Sequence, residues 1–297
     1  MTHSDWPALL LARAREGAPR VPAWLQAEGI RVQLGSVSAA DVDALRAFPD
    51  AISVVEAAAG QEVELHLGQE RRDARLAEIH AELRLQGRIR AWRDEPYPLR
   101  GGDGQVHGVV ERAASRFWGL MTLGAHCNGY VADASGRPTH LWIARRAWDK
   151  PTDPGRLDNL VGGGVPLGQT PLEAVLREGW EEAGLRPAEM AGLAAGGVVV
   201  LDCDIPEGRQ LEWLHVYDLA LPVDFQPRNI DGEVAEHLRM PVAEALSRSA
   251  AGELTTDAAL AVLDFALRHR LLGPDEPRLA RALDALRLVA PSIIQFD

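Results

Sequence analysis

The sequence predicts a mixed α/β molecule, a small N-terminal α/β unit followed by a larger α/β (α+β) layered sandwich. Three observations carry that prediction. Short strand-like stretches recur along the 297 residues, and one strongly helical segment sits among those of the second half. A Pro- and Gly-rich stretch, Trp92 to Gly108, separates two regions of different pattern and sets the expected units at residues 1–105 and 106–297. The composition, 46% hydrophobic and 25% charged, is that of an ordinary globular chain, and the length suffices for two cores.

In the first region, Trp6 to Arg15 reads as an apolar-rich helix. Arg31 to Val37 alternates polar and apolar residues, as a half-buried strand does. Ser38, with Asp41 three residues on, marks a helix start. Ile52–Glu56 and Glu62–Leu67 read as strands joined at Gly60. Asp73 to Gln86 places Leu76, Ile79, Leu83 and Leu85 at near-helical spacing. In the second region, Cys127–Ala132 and Thr139–Ala144 flank Gly136 as a hairpin. Leu160 and Val161 lead into three glycines, and a helix follows from Pro171 to Ala183. Val198–Leu201 and Trp213–Leu221 read as strands. Ala243–Leu246, Thr256–Arg270 and Arg278–Val289 read as helices. Strands around a central helix, with terminal helices outside, give layers of helix and sheet.

Acidic residues number 43 and basic ones 31, a net charge of −12. That balance argues against a general nucleic-acid or anionic-membrane partner. Two cysteines, Cys127 and Cys203, make neither a disulfide framework nor a four-cysteine zinc site. The first residues lack a basic start and an apolar core, and no apolar run approaches the roughly 20 residues of a spanning helix. The expectation is a cytoplasmic protein, monomer or homodimer, with a small-molecule partner.

The densest chemistry lies between Gly163 and Leu185. Thr170 can cap the helix, Pro171 suits its first position and Gly184 can end it. Leu172, Val175 and Leu176 supply an apolar face. Glu178, Glu181 and Glu182 stand at i, i+3 and i+4, so their carboxylates emerge together. Like charges at that spacing weaken a helix by ~0.2–0.5 kcal/mol per pair. A divalent cation reverses the sign. Mg²⁺ favours oxygen ligands, commonly a few carboxylates with waters and substrate phosphate oxygens. Arg177, four residues after Glu173 and four before Glu181, can hold a ligand in place. The glycines allow a sharp bend, and a carbonyl such as that of Gly163 can join the shell.

This segment resembles the signature of the Nudix hydrolases. Gly163, Arg177, Glu178, Glu181, Glu182, Gly184 and Leu185 fall in its register. Gln169 stands where its first Glu belongs, and Gly179 where an aliphatic belongs. A P-loop fits the spacing from Gly163 to Thr170, but Gln169 replaces the lysine that such a loop needs. Gly124–Tyr130, Leu141–Arg146, Leu157–Gly163, Val216–Leu219 and Asp231–Val234 also resemble the Nudix part of fungal thiamine pyrophosphokinase fusion proteins, which carry an extra N-terminal domain.

The resemblance implies a Nudix α/β/α sandwich with a mixed sheet. It implies Mg²⁺-dependent cleavage of a diphosphate linkage, with Mn²⁺ as a substitute, in thiamine diphosphate or a damaged analogue. A nucleotide-sugar or dinucleotide diphosphatase, of ADP-ribose or NADH type, is the alternative, and a non-catalytic binding protein the other. Glu178 and Glu182 are then the expected metal ligands, with Glu181 and the Gly163 carbonyl completing the shell. Arg177 positions Glu181, and Glu233, with Glu236 second, accepts the proton of the attacking water. For the substrate, His126 and Asn128 share one strand face. Trp142, or Trp148, offers a ring to stack on. Arg146 and Lys150, from a basic cluster, suit a diphosphate. Asn159, in the matched stretch, joins them. The N-terminal unit is expected to cover the cleft.

Overall fold

The computed structural model describes residues 17–273 and 276–287. Strand β1 (Arg20–Ala27) buries alternate residues, Val21, Ala23 and Leu25. Glu28 and Gly29, both at positive φ, turn the chain into antiparallel β2 (Ile30–Ser38). β3 (Ile52–Ala57) and β4 (Gly60–Leu65) form a second hairpin, and β4 runs parallel to β1. The sheet order is β2-β1-β4-β3. A short α1 (Val42–Leu45) adds Val42 and Leu45 to the core, and α2 (Gln69–Leu85) adds Leu76, Ile79 and Leu83.

The boundary expected at residue 105 moves. Pro96 opens a strand, β5 (Pro96–Arg100), which pairs with β6 (Val106–Glu111) through a turn at Gly104. α3 (Arg112–Phe117) follows. Tyr97, Leu99, Val110, Phe117, Trp118 and Leu120 all bury in the first core, so that unit extends to about Leu120. Burial of alternate strand residues overrides the turn-rich composition of this stretch.

The second sheet has seven strands. β7 (Met121–Ala132) is central, antiparallel to β8 (Pro138–Arg146) and β10 (Val161–Gly164), and parallel to β12 (Gly208–Ala220). β11 (Ala194–Ile205) flanks β12, while β9 (Leu157–Asn159) and β13 (Val234–Pro241) pair with β8. On one side, α4 (Pro171–Ala183) packs Ala174 and Val175 into a core with Ala125, Cys127 and Val161. A second core joins α5 (Val242–Ala250), α6 (Thr256–Arg268) and α7 (Glu276–Asp284) to Leu141, Ile143, Leu201 and Leu214. The result is the expected mixed-sheet sandwich behind a small α/β unit. The expected helix at Trp6–Arg15, and the end of that at Arg278–Val289, lie outside the described residues. Among the described residues no helix is long and apolar enough to cross a membrane.

Candidate active site

Local chemistry sets α4 in place. The Thr170 hydroxyl accepts from the Glu173 backbone N–H at 3.2 Å, and the Glu173 carboxylate accepts from the Thr170 N–H at 2.8 Å. This reciprocal box satisfies two otherwise orphaned donors. Gly184 ends the helix at φ 67°, a conformation that favours glycine.

Glu178 and Glu182 point inward, beneath β10. Glu182 Oε2 accepts the Gly162 N–H at 2.9 Å. Glu178 approaches Gly163 so closely that a Cβ there would lie 2.4 Å from its Oε1. A side chain at 163 would therefore displace the Glu178 carboxylate. Arg177 donates to Glu178 at 2.8 Å, to Glu181 at 2.5 Å and, through Nε, to the Gln169 amide oxygen at 3.3 Å. Gln169 thus supports Arg177, as the missing glutamate would. Glu181 is half-buried, and the Ile230 N–H binds its backbone carbonyl.

Burial lifts the Glu182 carboxyl well above the ordinary carboxylate value, and the neighbouring Glu178 lifts it further. Burial also raises Glu178, against the pull of Arg177. Two hard carboxylates one turn apart, desolvated and mutually repelling, fit a divalent cation. Among the described residues no three His, Cys, Asp or Glu side chains form a closed metal cage. Mg²⁺ needs none, since it keeps several waters and takes one or two carboxylates plus phosphate oxygens.

A cavity of about 380 Å³ opens between the two units; Glu178 and Glu182 lie against the glycines of its wall, and they, Arg177, Glu181 and Glu233 are not among its lining residues. Gly162, Gly163 and Gly164 form one wall, with His126, Arg146, Asp158 and Asp257 nearby. Arg146 donates to Asp158 at 2.9 Å and to the Thr152 carbonyl at 3.0 Å. Burial alone would lower the His126 imidazole, but Asp257 and Asp158 outweigh it and hold its pKa above the usual value.

The structure places the other expected contacts as follows. His126 Nδ1 bonds Asn159 Oδ1 at 2.8 Å, and Asn159 Nδ2 donates to Asn128 Oδ1 at 2.9 Å. Asn128 also donates to the Ala261 carbonyl at 3.2 Å. Asn128 and Asn159 are therefore buried supports behind His126 and do not line the cavity. Trp142 lies in the α4-side core, edge-on to Phe225 with centroids 6.3 Å apart, because both sheet faces are covered by helices. Lys150 is bound to Glu233 and does not line the cavity. Trp148 is exposed and rests on Gly155. Burial would raise the Glu233 carboxyl, but the Lys150 bond and charge lower it below its usual value. Glu236 pairs with Arg145.

The sequence reading missed several cavity residues. Asp158 lies within the quoted stretch Leu157–Gly163, and its role was legible only as a neighbour of Asn159. Asp257 and the N-terminal arginines Arg93, Arg112 and Arg116 have no local spacing signal. The fold alone brings them to the cavity.

Residues 126–260 match the family model of the NUDIX domain, and residues 28–122 match a domain of unknown function, DUF4743. The chain is 36% identical over 212 residues to Nudix hydrolase 24, chloroplastic, of Arabidopsis thaliana, a match covering 70% of this chain and 57% of that protein. An uncharacterized protein of Saccharomyces cerevisiae, YJR142W, is 31% identical over 209 residues, covering 66% and 60%. The solved structure of DR0079 from Deinococcus radiodurans is 26% identical, covers 58% of this chain and 98% of its own, and superposes with a TM-score of 0.42. The chain spans little more than half the length of the curated Arabidopsis relatives it matches. Residues 126–260 are a NUDIX domain carrying the Glu178–Glu182 pair, and the chain is homologous to the plant Nudix hydrolases.

Proposed function

We propose that the chain hydrolyses a diphosphate linkage with a divalent cation held at Glu178 and Glu182. The observation that carries this reading is the pair of buried, like-charged carboxylates lying against Gly162 and Gly163 on the cavity wall. The hard oxygen set suits Mg²⁺, with Mn²⁺ as a substitute, and the Gly163 carbonyl is a further donor. When bound, the cation neutralises phosphate charge and favours attack by water.

The side chains do the rest. Arg177 holds Glu178 and Glu181 in register, and Gln169 anchors Arg177. Arg146, fixed by Asp158, presents cationic donors to a phosphate. Glu233 is ionised at neutral pH and accepts the proton of the attacking water, a role that requires its Lys150 bond to open. His126, held by Asn159, contacts the organic part of the substrate.

The substrate in this reading is thiamine diphosphate or an analogue, cleaved to the monophosphate and free phosphate. Its support is the resemblance of Gly124–Tyr130 and the other quoted stretches to the thiamine pyrophosphokinase fusion proteins. Burial of Trp142 removes the stacking contact expected from sequence. The second reading is a nucleoside-diphosphate-type substrate. Steady-state kinetics with Mg²⁺ on thiamine diphosphate, oxidised thiamine diphosphates, ADP-ribose and NADH decide between them. A thiamine-type diphosphate should give the highest kcat/KM, and ADP-ribose cleaved ten times more efficiently would overturn the thiamine assignment alone. Cytoplasmic residence is part of the same proposal, the Arabidopsis relatives being named chloroplastic, and fractionation tests it.

A further inference from the structure

The N-terminal unit brings Arg93, Arg112 and Arg116 to the cavity wall, where Arg146 of the NUDIX domain also stands. Arg116 is paired with Glu212 at 2.7 Å, and Arg112 with Glu95 at 2.8 Å. Arg93 differs. Among the described residues no carboxylate lies within ion-pair distance of it, and its side chain donates only to Thr152 Oγ1, at 2.8 Å. That bond crosses from one unit to the other. Burial lowers the Arg93 guanidinium to about 10, and the charges of Arg112 and Arg146 push the same way. Arg146 Nε is also buried without a hydrogen-bond partner. A desolvated cation among like charges, with Glu233 and Glu95 acting on it only from beyond ion-pair distance, is an unfavourable arrangement. An anion in the cavity relieves it. The planar guanidinium fork matches phosphate oxygens in pairs.

We propose that Arg93, with Arg112 and Arg146, grips a phosphate group of the substrate, so that the N-terminal unit forms part of the substrate site. The proposal rests on the hydrolytic reading only in naming the bound phosphate as the substrate's. Thr152 is the positioning residue that holds Arg93.

The test uses the full chain and two probes, methylenediphosphonate and inorganic phosphate, with binding followed by calorimetry in the presence of chelator. The wild type should bind the diphosphonate, Arg93→Gln at least tenfold more weakly, and Arg93→Lys to an intermediate degree, since charge is kept and the fork is lost. Thr152→Val, which retains every charge, should weaken binding severalfold and serves if Arg93→Gln fails to fold. In turnover, Arg93→Gln should raise KM at least tenfold with less than a threefold change in kcat. Glu182→Gln should lose turnover yet keep diphosphonate binding without metal. Equal affinity in the wild type and a folded Arg93→Gln, or no binding of either probe by the wild type, overturns the proposal. A wild type that binds the diphosphonate but cleaves none of the diphosphates overturns the hydrolytic reading and leaves the clamp standing.

Discussion

The Glu182 carboxyl, buried against Glu178 and the Gly162 amide, is easier to protonate in the folded chain than in the unfolded one. Just above the ordinary carboxylate value of 4.5, the folded state therefore binds more protons. This contribution to stability falls as pH rises through that window, and the penalty persists at neutral pH. Glu182→Gln should then melt no lower than the metal-free wild type at pH 7.5, should lose its Mg²⁺-induced rise in Tm, and should abolish Mg²⁺-dependent turnover. Thermal melts with and without Mg²⁺ check this, and near-normal turnover of the variant would refute the ligand assignment. His80 behaves oppositely. It accepts a hydrogen bond from Trp118 Nε1 at 2.8 Å, and burial lowers its pKa from 6.5 to about 4. The unfolded chain takes up this proton first, so stability declines as pH falls from 6.5 to 4, by ~3 kcal/mol at most. His80→Gln should flatten that part of the stability–pH profile in urea titrations, and an unchanged slope would rule it out. Glu178, Glu181, Glu182 and Arg177 were legible in the sequence because their spacing lies within two helical turns. Arg146 was legible from its basic cluster, but Arg93 and Asp257 were not, since only tertiary folding makes them its neighbours. Trp142 was misread because strand alternation defines two faces, and here helices cover both.

Among elements, α4 was the most legible, bounds included, because Thr170, Pro171 and Gly184 encode both ends locally. β1 escaped notice since Pro22 interrupts its pattern. Its pairing with β4 begins only at Ala23, so the missing Pro22 N–H leaves that ladder intact. β5 starts with a proline and carries another at Pro98, tolerated in a two-stranded hairpin. Gly179 also has its explanation at this scale. A Cβ there would meet the Met190 Sδ at 2.7 Å, so Met190 fills the place of the aliphatic that the signature would put there. Gly179→Ile should destabilise the protein by about 1–3 kcal/mol through overpacking. Adding Met190→Ala should recover part of that loss. Denaturant midpoints of the single and double variants read the coupling, and additive effects would show that the two side chains do not compete for one space.

For the molecule as a whole, the two units were legible as two pattern regimes, but their seam was not. Several contacts cross it. Arg20 pairs with Asp204 at 2.9 Å, Arg209 donates to Ser36 Oγ at 2.8 Å, and Arg93 reaches Thr152. Tyr97 sets its hydroxyl against Gly164, where a Cβ would lie 1.8 Å away. Such a seam couples the unfolding of the two cores. Far-UV circular dichroism and tryptophan fluorescence should therefore report one shared urea transition, and two separated midpoints would contradict this.

Leu120 is buried in the first core, and its neighbour Met121 opens the central strand of the second sheet. No stretch of neutral chain lies between them at which a gene could be recombined without exposing an apolar face. The two units are expected to be inherited as one cassette, and a shuffled gene must keep the Leu120–Met121 joint together with both of its flanks.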